Sequence, residues 1–456
     1  IRLLRFEKTW LGHDKPMKEK KGIHELYGKM GDKASQVIWG NDPLDSGLSR
    51  RGFLSRNALS AMAAVLGGNI VFGDKFPAGL IPAALAQNPE PFTIEGKDGL
   101  IVLNDRPVNA ETPAHLLDDS ITPGKHLFVR NNGHPPAADT IDAKTWTIEI
   151  SGPGVDKPTT FTIQDLKDKF ETITRQVLIE CGGNGRSEFS PPASGNQWTI
   201  GAVGCPKWTG VRMRDVLKAC EVNDKAVYTA YYGKDTHLSG DATKDPISRG
   251  VPIAKALDED SMIVWSMNDA DIPWMNGHPL RLITGGYPAS TSGKWIHKLL
   301  VRDQVHDGAK MTGTSYRIPK YTVAPGTEVP EEDMIVIESM PVKSFVTFPQ
   351  SGIEAPVGDS FSCRGQAWAG DLTVKEVHTS IDFGSTWQEA KLEEAPNRFA
   401  WQRWSQDGIK FPKTGYYEVW ARATDEKGKS QPMILPGWNP KGYLNNACHR
   451  IAIQAV

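Results

Sequence analysis

Short apolar stretches separated by turn-forming residues recur along most of the chain. Residues 146–150 alternate apolar and polar side chains, which predicts a half-buried strand. Residues 162–166 and 211–220 have the spacing of short helices, and residues 280–283 and 299–301 are further predicted strands. Because strands and short helices are interspersed, this region predicts an α+β domain built on mixed sheets.

The pattern changes after a segment rich in Pro, Glu and Thr, residues 319–333, which we interpret as a linker. Beyond it, short alternating stretches are separated by turn signals at residues 382–385 and 425–428. This pattern of short alternating stretches and turns predicts an all-β, immunoglobulin-like sandwich. The strands predicted for it are residues 344–348, 361–368, 372–378, 387–392 and 416–423.

The N-terminal region has the features of an export signal. Residues 49–54 (SRRGFL) contain paired arginines, residues 58–71 are mostly apolar, and residues 84–86 (ALA) offer a small-residue cleavage site. We therefore expect a Tat signal, a mature chain that starts near Gln87, and a periplasmic location. The alternative is a basic turn before a core helix.

These features divide the chain into four parts. Residues 1–48 are a charged leader that we expect to be disordered, and residues 49–86 are the signal. Residues 87–325 form the predicted catalytic domain and residues 326–456 the predicted sandwich. No other apolar stretch reaches the length of a membrane span, so we expect no membrane crossing by the mature chain.

Composition narrows the function classes. The 456 residues carry a net charge of −2, which gives no general footprint for nucleic acid. The 14 tryptophans, 32 prolines and 44 glycines favour a loop-rich, β-rich fold over a helical bundle. The five cysteines form no Cys-x-x-Cys pair, which argues against a zinc ribbon or a redox dithiol.

Cys181 has the most informative surroundings, in residues 178–186 (LIECGGNGR). A cysteine after a strand is most often a small buried hydrophobe. Here the glycines let the backbone approach a bulky group, and Asn184 and Arg186 can donate hydrogen bonds to anionic oxygens. This setting favours a thiolate that binds a metal-bearing cofactor. The other four, which we predict to be core or free thiols, are Cys205, Cys220, Cys363 and Cys448.

Several motifs in order carry a resemblance to a known family. They are residues 128–132 (FVRNN), 180–186 (ECGGNGR), 196–202 (NQWTIGA), 208–211 (WTGV), 276–281 (NGHPLR), 294–295 (KW), Tyr316 and 438–442 (WNPKG). From Phe128 to the C-terminus the chain resembles the sulfite oxidase family of molybdenum enzymes. Residues 303–330 most resemble the sulfane dehydrogenase branch of that family, which belongs to the bacterial Sox thiosulfate-oxidising system.

The resemblance implies a role for each matching position. Cys181 would bind molybdenum beside the two dithiolene sulfurs of one molybdopterin. Arg130 and Arg186 would line an anion pocket, Trp198 would form its wall, and Tyr316 would take part in proton-coupled steps beside the metal. The residues that would hold the pterin and its phosphate are Asn131, Asn132, Asp235, Asn276, Arg281, Ser292 and Lys294. The family commonly has histidine at the positions of Asn132 and Asn276.

One departure from the family bears on the substrate. Sulfite-oxidising members carry arginine at the position of Lys441, and lysine offers a point charge where arginine offers a planar fork. We hypothesise that Lys441 loosens recognition of a free oxyanion and favours the terminal sulfur of a persulfide carried on another protein's cysteine. The alternatives are a periplasmic sulfite dehydrogenase, a methionine sulfoxide reductase of the superfamily, whose members lack the sandwich, and a non-catalytic binding module.

The electrons must also leave the cofactor. The sequence has no haem motif, iron–sulfur cysteine cluster or flavin fingerprint, and Asn445 stands where a haem c motif ending at Cys448 and His449 would need its first cysteine. We therefore expect a c-type cytochrome partner, dihaem by resemblance, together with a sulfur-carrier protein as substrate. The resemblance also implies a dimer formed through the C-terminal domain.

Overall fold

A computed structural model describes residues 92–435 and 437–456. The predicted leader and Tat signal lie outside these residues. Within the described ranges, no helix is both long enough and apolar enough to cross a membrane. The described chain is mostly strand and loop, which confirms the predicted α+β class with a β-rich C-terminal part.

The strands are numbered in chain order. They are β1 (Ile101–Asp105), β2 (Val108–Glu111), β3 (Val129–Arg130), β4 (Thr147–Ser151), β5 (Thr159–Thr162), β6 (Ile173–Gln176), β7 (Ile179–Glu180), β8 (Val203–Gly204), β9 (Lys207–Arg212), β10 (Tyr228–Gly233), β11 (Met262–Met267), β12 (Ala270–Asp271), β13 (Arg281–Ile283), β14 (Ile296–Arg302), β15 (Arg317–Pro319), β16 (Met334–Val336), β17 (Lys343–Phe348), β18 (Ile353–Ala355), β19 (Phe361–Trp368), β20 (Val374–Ser380), β21 (Gln388–Glu389), β22 (Lys391–Leu392), β23 (Gln402–Ile409), β24 (Gly415–Asp425) and β25 (His449–Ala455).

The described helices are short. The α-helices are α1 (Ile163–Lys169), α2 (Met213–Ala219) and α3 (Ile253–Ala256). Single 3-10 turns lie at Ala114–Leu117, Gly124–His126, Ala138–Thr140, Arg186–Glu188, Trp274–Asn276, Ala289–Thr291 and Glu331–Asp333. Helix α1 begins where its sequence predicts, because Thr162 and Asp165 form a capping box that satisfies the first free amides.

Two sheets form the larger half of the fold. One has the order β10-β14-β4-β5, and the other has the order β12-β11-β9-β6, with β13 paired to β11. Strand β4 runs parallel to β14 and antiparallel to β5, so the first sheet is mixed, as predicted. Side chains from both sheets and from helices α1 and α2 share one core, which includes the buried Ile148, Leu166, Val216, Ile263 and Leu299.

The C-terminal part is a two-sheet sandwich. Its sheets have the orders β17-β19-β23-β22 and β18-β25-β24-β20-β21. Val346 and Trp404 from the first sheet pack in one core with Val377, Val419 and Ile453 from the second. Strand β19 has the predicted bounds, and the turn at Asp382–Ser385 connects β20 to β21 as predicted.

Candidate active site

A cleft opens in the larger half of the fold, with about 690 Å³ of empty space that includes the solvent at its mouth. Its walls come from chain segments at the ends of β3, β7, β10 and β14 and from the 3-10 turns at Trp274–Asn276 and Ala289–Thr291. The predicted site residues that line it are Arg130, Asn132, Cys181, Asp235, Asn276, Arg281, Ser292, Lys294 and Tyr316. The fold therefore brings together residues that lie far apart in the sequence.

Cys181 lies directly after β7, and its backbone is fixed on both sides. Its N–H donates to the carbonyl of Ala202 at 2.9 Å, and its carbonyl accepts from the N–H of Asn184 at 2.9 Å. A Cβ on Gly183 would lie 2.1 Å from a guanidinium nitrogen of Arg186, so a larger residue at this position would displace the Arg186 guanidinium. The described cysteines, Cys181 among them, are all buried and form no disulfide.

Arg130 and Tyr316 meet at one acceptor. The Arg130 guanidinium donates through Nη2 to Oδ1 of Asn132 at 2.8 Å, and the Tyr316 hydroxyl donates to the same oxygen at 3.3 Å. Burial alone would lower the pKa of Arg130, but the neighbouring Tyr316 and Cys181 side chains raise it above its usual value. The Arg130 side chain is therefore a cation held beside the cysteine.

The opposite end of the cleft is held by a lysine and an arginine. Lys294 donates through Nζ to the side-chain oxygen of Asn131 and to the carbonyl of Met275, the latter at 2.9 Å. Arg281 donates to the carbonyls of Asn276 at 2.7 Å and Ser292 at 3.0 Å. Both side chains therefore donate their hydrogen bonds to neutral acceptors, and Asp235 is the carboxylate that acts on Lys294.

Positive charge exceeds negative charge around this end. Burial lowers the pKa of Arg281 to about 9, and burial together with Arg281 holds the pKa of Lys294 well below its usual value. Burial and Arg281 also lower the pKa of Lys97 to about 7, while Lys97 donates to the Asn276 side chain. Burial raises the pKa of Asp235 to about 6 against the effect of Lys294. Such a group of buried cations is suited to an anionic ligand.

Four predicted site residues do not line the cleft. Asn131 lies behind it and holds Lys294. Arg186 donates to the carbonyls of Lys441 at 2.7 Å and Asn196 at 2.8 Å. Lys441 directs Nζ to the Ser194 hydroxyl at 3.3 Å. Trp198 is fully buried, packs edge-on against Phe128 of the cleft wall, and has no hydrogen-bond partner for Nε1 among the described residues.

Sequence reasoning missed several residues at this site. Tyr231 and Ser290 line the cleft, and Lys97, Arg249 and Tyr443 lie against residues that line it. Tyr443 follows the WNPKG motif by one position, which is the single local signal for any of them. The others lie in segments whose composition is ordinary, and only the tertiary fold brings them to the cleft.

Two family models match the chain. The oxidoreductase molybdopterin binding domain matches residues 133–310, and the Mo-co oxidoreductase dimerisation domain matches residues 334–456. The chain is 31% identical over 373 residues to mitochondrial sulfite oxidase of Drosophila melanogaster, which covers 77% of this chain and 62% of that protein. It is 29% identical over 374 residues to sulfite oxidase of Gallus gallus, which covers 77% of each.

A solved structure shares the fold. The sulfane dehydrogenase SoxCD from Paracoccus pantotrophus superposes with a TM-score of 0.62 at 24% identity, over 83% of this chain and 91% of that chain. At this identity the likeness concerns the fold. This chain spans 62% to 66% of the length of the first three curated relatives that it matches.

The fold and the cleft together define a molybdopterin-binding oxidoreductase with a C-terminal dimerisation domain. Within that class, the chain is similar over 77% of its length to sulfite oxidases. The family resemblance inferred from the ordered motifs is thereby confirmed.

The residues of the cleft fit the cofactor that this family implies. No group of three or more His, Cys, Asp or Glu side chains suited to a metal occurs among residues 92–435 and 437–456, so a metal at Cys181 would take most of its ligands from a cofactor. Dithiolene sulfurs supply such ligands. Arg281 and Lys294 suit a phosphate, since both are buried cationic groups that can donate hydrogen bonds to anionic oxygens.

Proposed function

We propose that this chain is the molybdenum subunit of a periplasmic enzyme that oxidises the sulfane sulfur of a cysteine persulfide carried on another protein. Electrons would pass to a c-type cytochrome, and the signal at residues 49–86 would direct export through the Tat pathway. The family membership supports sulfur oxidation with a molybdopterin cofactor, and the persulfide is the finer part of the proposal.

Each side chain at the cleft has a part in this function. Cys181 would bind the metal, and Asn132, Asp235, Asn276, Arg281, Ser292 and Lys294 would hold the pterin and its phosphate, with Asn131 fixing Lys294 from behind. The bound cofactor supplies two-electron redox chemistry at sulfur. Each two-electron step adds one oxygen from water to the sulfur and releases two protons and two electrons.

The chain's own residues bind the anionic sulfur and handle its protons. Arg130 faces the cleft beside Cys181 and would hold the negative terminal sulfur. The Tyr316 hydroxyl, hydrogen-bonded to Asn132, would accept or donate a proton next to it. Phe128, Ile247 and Trp295 form apolar parts of the wall and would limit the access of water.

The positions of Arg186 and Lys441 support a carrier-bound persulfide as the substrate. Arg186 uses Nε and Nη1 on backbone carbonyls, and the Lys441 ammonium donates to Ser194, so neither lines the cleft. Of the three cations that the family resemblance assigns to a free oxyanion, Arg130 alone lines the cleft. A small dianion such as sulfite would therefore find one guanidinium, whereas a persulfide is also held by its carrier protein.

Free sulfite is the second candidate substrate, because two of the curated relatives that the chain matches are sulfite oxidases. The two candidate substrates differ in what holds them besides Arg130. A persulfide is also held by its carrier protein, whereas free sulfite is not. Substitution of Lys441 by arginine would restore the planar guanidinium fork at this position. The variant should favour the free oxyanion over the carrier-bound sulfur.

The test compares the wild type with Lys441→Arg on two substrates, free sulfite and a small carrier protein that bears one cysteine persulfide. Reduction of cytochrome c is the readout. We expect the wild type to prefer the persulfide, and Lys441→Arg to shift the ratio of kcat/KM values toward sulfite by about tenfold. Lys413→Arg, in an exposed loop of the sandwich, is the matched control.

Two results would contradict parts of the proposal. A wild type that turns over free sulfite more efficiently than the persulfide would identify a sulfite dehydrogenase. A Cys181→Ser variant that keeps both its molybdenum and its activity would remove Cys181 from the metal site. Cys220→Ser is the control for the latter, since Cys220 lies in the core away from the cleft.

We also propose that the chain dimerises through residues 334–456, which match the dimerisation domain of the family. The sandwich exposes large apolar side chains on its surface, among them Phe348, Phe383 and Tyr416. Sedimentation of the purified holoenzyme should give the mass of two chains, plus the mass of the cytochrome where it is bound.

A further inference from the structure

Four side chains form an unbroken stack beside the cleft. The Arg249 guanidinium carbon lies 4.7 Å from the centroid of the Tyr316 ring. The rings of Tyr316 and Tyr443 stack with centroids 5.6 Å apart and an angle of 14° between their planes. The Arg186 guanidinium carbon lies 5.1 Å from the centroid of the Tyr443 ring. Tyr316 is therefore enclosed between a cation and a second aromatic ring.

The stack restrains a strained backbone. Tyr316 has a φ of 52°, in the left-handed region that a bulky residue rarely adopts. Such a conformation persists only where the surroundings hold it in place. Tyr443 supplies two such contacts, since its ring stacks on Tyr316 and its hydroxyl accepts a hydrogen bond from the Tyr316 N–H at 3.3 Å.

Arg249 is a buried charged side chain, which packing alone does not explain. It is 1% exposed, and none of the described carboxylates lies within ion-pair distance of it. It donates through Nη1 to the Ser290 hydroxyl at 2.6 Å, and Nε contacts the Met311 sulfur at 3.4 Å. Burying an unpaired charge costs free energy that an apolar side chain of similar size would avoid. The charge must therefore act on what it contacts, which is Tyr316 and the Ser290 edge of the cleft.

The far end of the stack reaches the cysteine loop. Arg186 follows Cys181 by five positions, and Tyr443 lies against Gly182, where a Cβ would be 3.7 Å from the tyrosine ring. The same Tyr316 side chain donates to Asn132, which also orients Arg130. One stack thus connects the cysteine loop, the tyrosine and the guanidinium that face the cleft.

We propose that Arg249 and Tyr443 are positioning residues for the reaction. Together they hold the Tyr316 hydroxyl on Asn132, so that the hydroxyl and the Arg130 guanidinium keep a fixed geometry toward the bound sulfur. This inference rests on the proposed sulfur oxidation, but it is independent of whether the sulfur arrives on a carrier or as free sulfite.

The test replaces each end of the stack in the holoenzyme. Arg249→Met and Arg249→Gln remove the charge, and Tyr443→Leu removes the ring, whereas Arg249→Lys and Tyr443→Phe keep the charge and the ring. We expect the first three to lower kcat at least tenfold, with KM changed less than threefold and molybdenum content unchanged. The conservative pair should keep at least a third of wild-type kcat.

Two control variants break comparable contacts far from the cleft. Tyr417→Val disrupts the ring contact between Phe411 and Tyr417, and Arg422→Leu removes a guanidinium 3.9 Å from the Trp387 ring centroid. Both contacts lie in the sandwich, and both variants should lower the melting temperature while leaving kcat unchanged.

A crystal structure of Tyr443→Leu gives a readout independent of turnover. Tyr316 should leave the left-handed region, and its hydroxyl should move away from Asn132. The proposal is overturned if Tyr316 keeps its conformation there, if Arg249→Met and Arg249→Gln retain wild-type kcat, or if Arg249→Lys is as impaired as they are. If the wild type itself oxidises neither substrate, the proposed function fails, and the crystal structure still decides the positioning role.

Discussion

Glu111 is a carboxyl group enclosed by the backbone of a neighbouring loop. Its oxygens accept hydrogen bonds from the Thr199 N–H at 2.8 Å and the Thr199 hydroxyl at 2.9 Å. Burial nevertheless raises its pKa to about 7, because the hydrogen bonds offset only part of the desolvation. The folded protein therefore binds this proton up to about pH 7, whereas the unfolded chain releases it near the ordinary value.

A pH-dependent stability follows from this shift. A raised carboxyl pKa contributes stability that is complete below the unfolded pKa and is lost as the pH rises through the folded value. Glu111→Gln should therefore gain stability relative to the wild type between about pH 4.5 and pH 8, on the order of 3 kcal/mol. Urea unfolding across this range measures the difference. Glu389→Gln, at an exposed position of β21, is the matched control.

Cys181 and Arg249 show what can be predicted at this scale. The surroundings of Cys181 are local, since the glycines, Asn184 and Arg186 lie within five positions of it, and the sequence alone indicated its cofactor chemistry. Arg249 contacts Tyr316, Ser290 and Met311, all more than forty positions away. No local pattern indicates such a contact, because it depends on how β10 and β14 bring distant loops together.

At the scale of elements, the short strand β7 carries a buried carboxylate into the interface between the two halves of the fold. Glu180 accepts from the Lys343 ammonium at 2.8 Å, from the Trp368 indole at 2.8 Å and from the Asn184 amide at 3.0 Å. Lys343 begins β17 and Trp368 ends β19, so two strands of the sandwich hold the residue next to Cys181. The sandwich therefore contributes directly to the position of the cysteine loop.

Removing one partner of this ion pair should be costly. Lys343→Met leaves the Glu180 charge buried and unpaired, and we expect a loss of about 3–5 kcal/mol in the free energy of unfolding. The double variant Glu180→Gln, Lys343→Met should lose much less, because no charge remains. Chemical denaturation of the wild type, Glu180→Gln, Lys343→Met and the double variant gives the coupling between the two sites.

A matched pair lies on the surface, between Lys125 and Asp98 at 3.1 Å. Lys125→Met should have only a small effect, since solvent screens exposed pairs. If Lys343→Met and the double variant were equally stable, the ion pair would have no role in holding β7. If Lys343→Met kept wild-type stability, Glu180 would be compensated by its neutral partners alone.

Some strands were found from the sequence and others were missed, and the difference has a physical reason. Strand β19, whose sequence FSCRGQAW largely alternates apolar and polar residues, was found from the sequence, and so was most of β24. Strands β10 and β11 were missed because both of their faces are largely covered, so the sequence shows no alternation. The helix predicted at residues 211–220 begins later, at Met213, because Val211 and Arg212 pair with β11 at the end of β9.

At the scale of the whole described chain, the two halves of the fold belong to one compact unit and share an apolar cluster that includes Leu117 and Phe345, and ion pairs also join them. Arg364 of β19 donates to both oxygens of the Asp118 carboxylate, through Nε at 3.1 Å and 3.0 Å and through Nη2 at 2.6 Å. Lys255 of α3 pairs with Asp371 at 2.7 Å. The motifs predicted the family and therefore both domains, whereas these contacts between distant segments have no signature in the sequence.

The excess of buried cations links cofactor binding to pH. Burial and Arg281 hold the pKa of Lys97 near 7, and burial lowers that of Arg281 to about 9, while in the unfolded chain both keep their usual higher values. Between these values the unfolded chain binds more protons than the folded one, so the stability of the cofactor-free protein rises as the pH rises from about 7 to about 10. An anionic phosphate bound beside these side chains would raise their pKa and remove most of this dependence.

The cofactor should therefore stabilise the protein more at pH 7 than at pH 9.5, and its binding near pH 8 should take up protons. Melting temperatures of the cofactor-free protein and the holoenzyme at both pH values test this, and calorimetry in buffers of different ionisation enthalpy measures the proton uptake. Lys97→Met should reduce the pH dependence of the cofactor-free protein, because it removes the group with the lower of the two pKa values. If the melting temperatures of the cofactor-free protein and the holoenzyme differed by the same amount at both pH values, the anion would not bind next to Lys97 and Arg281.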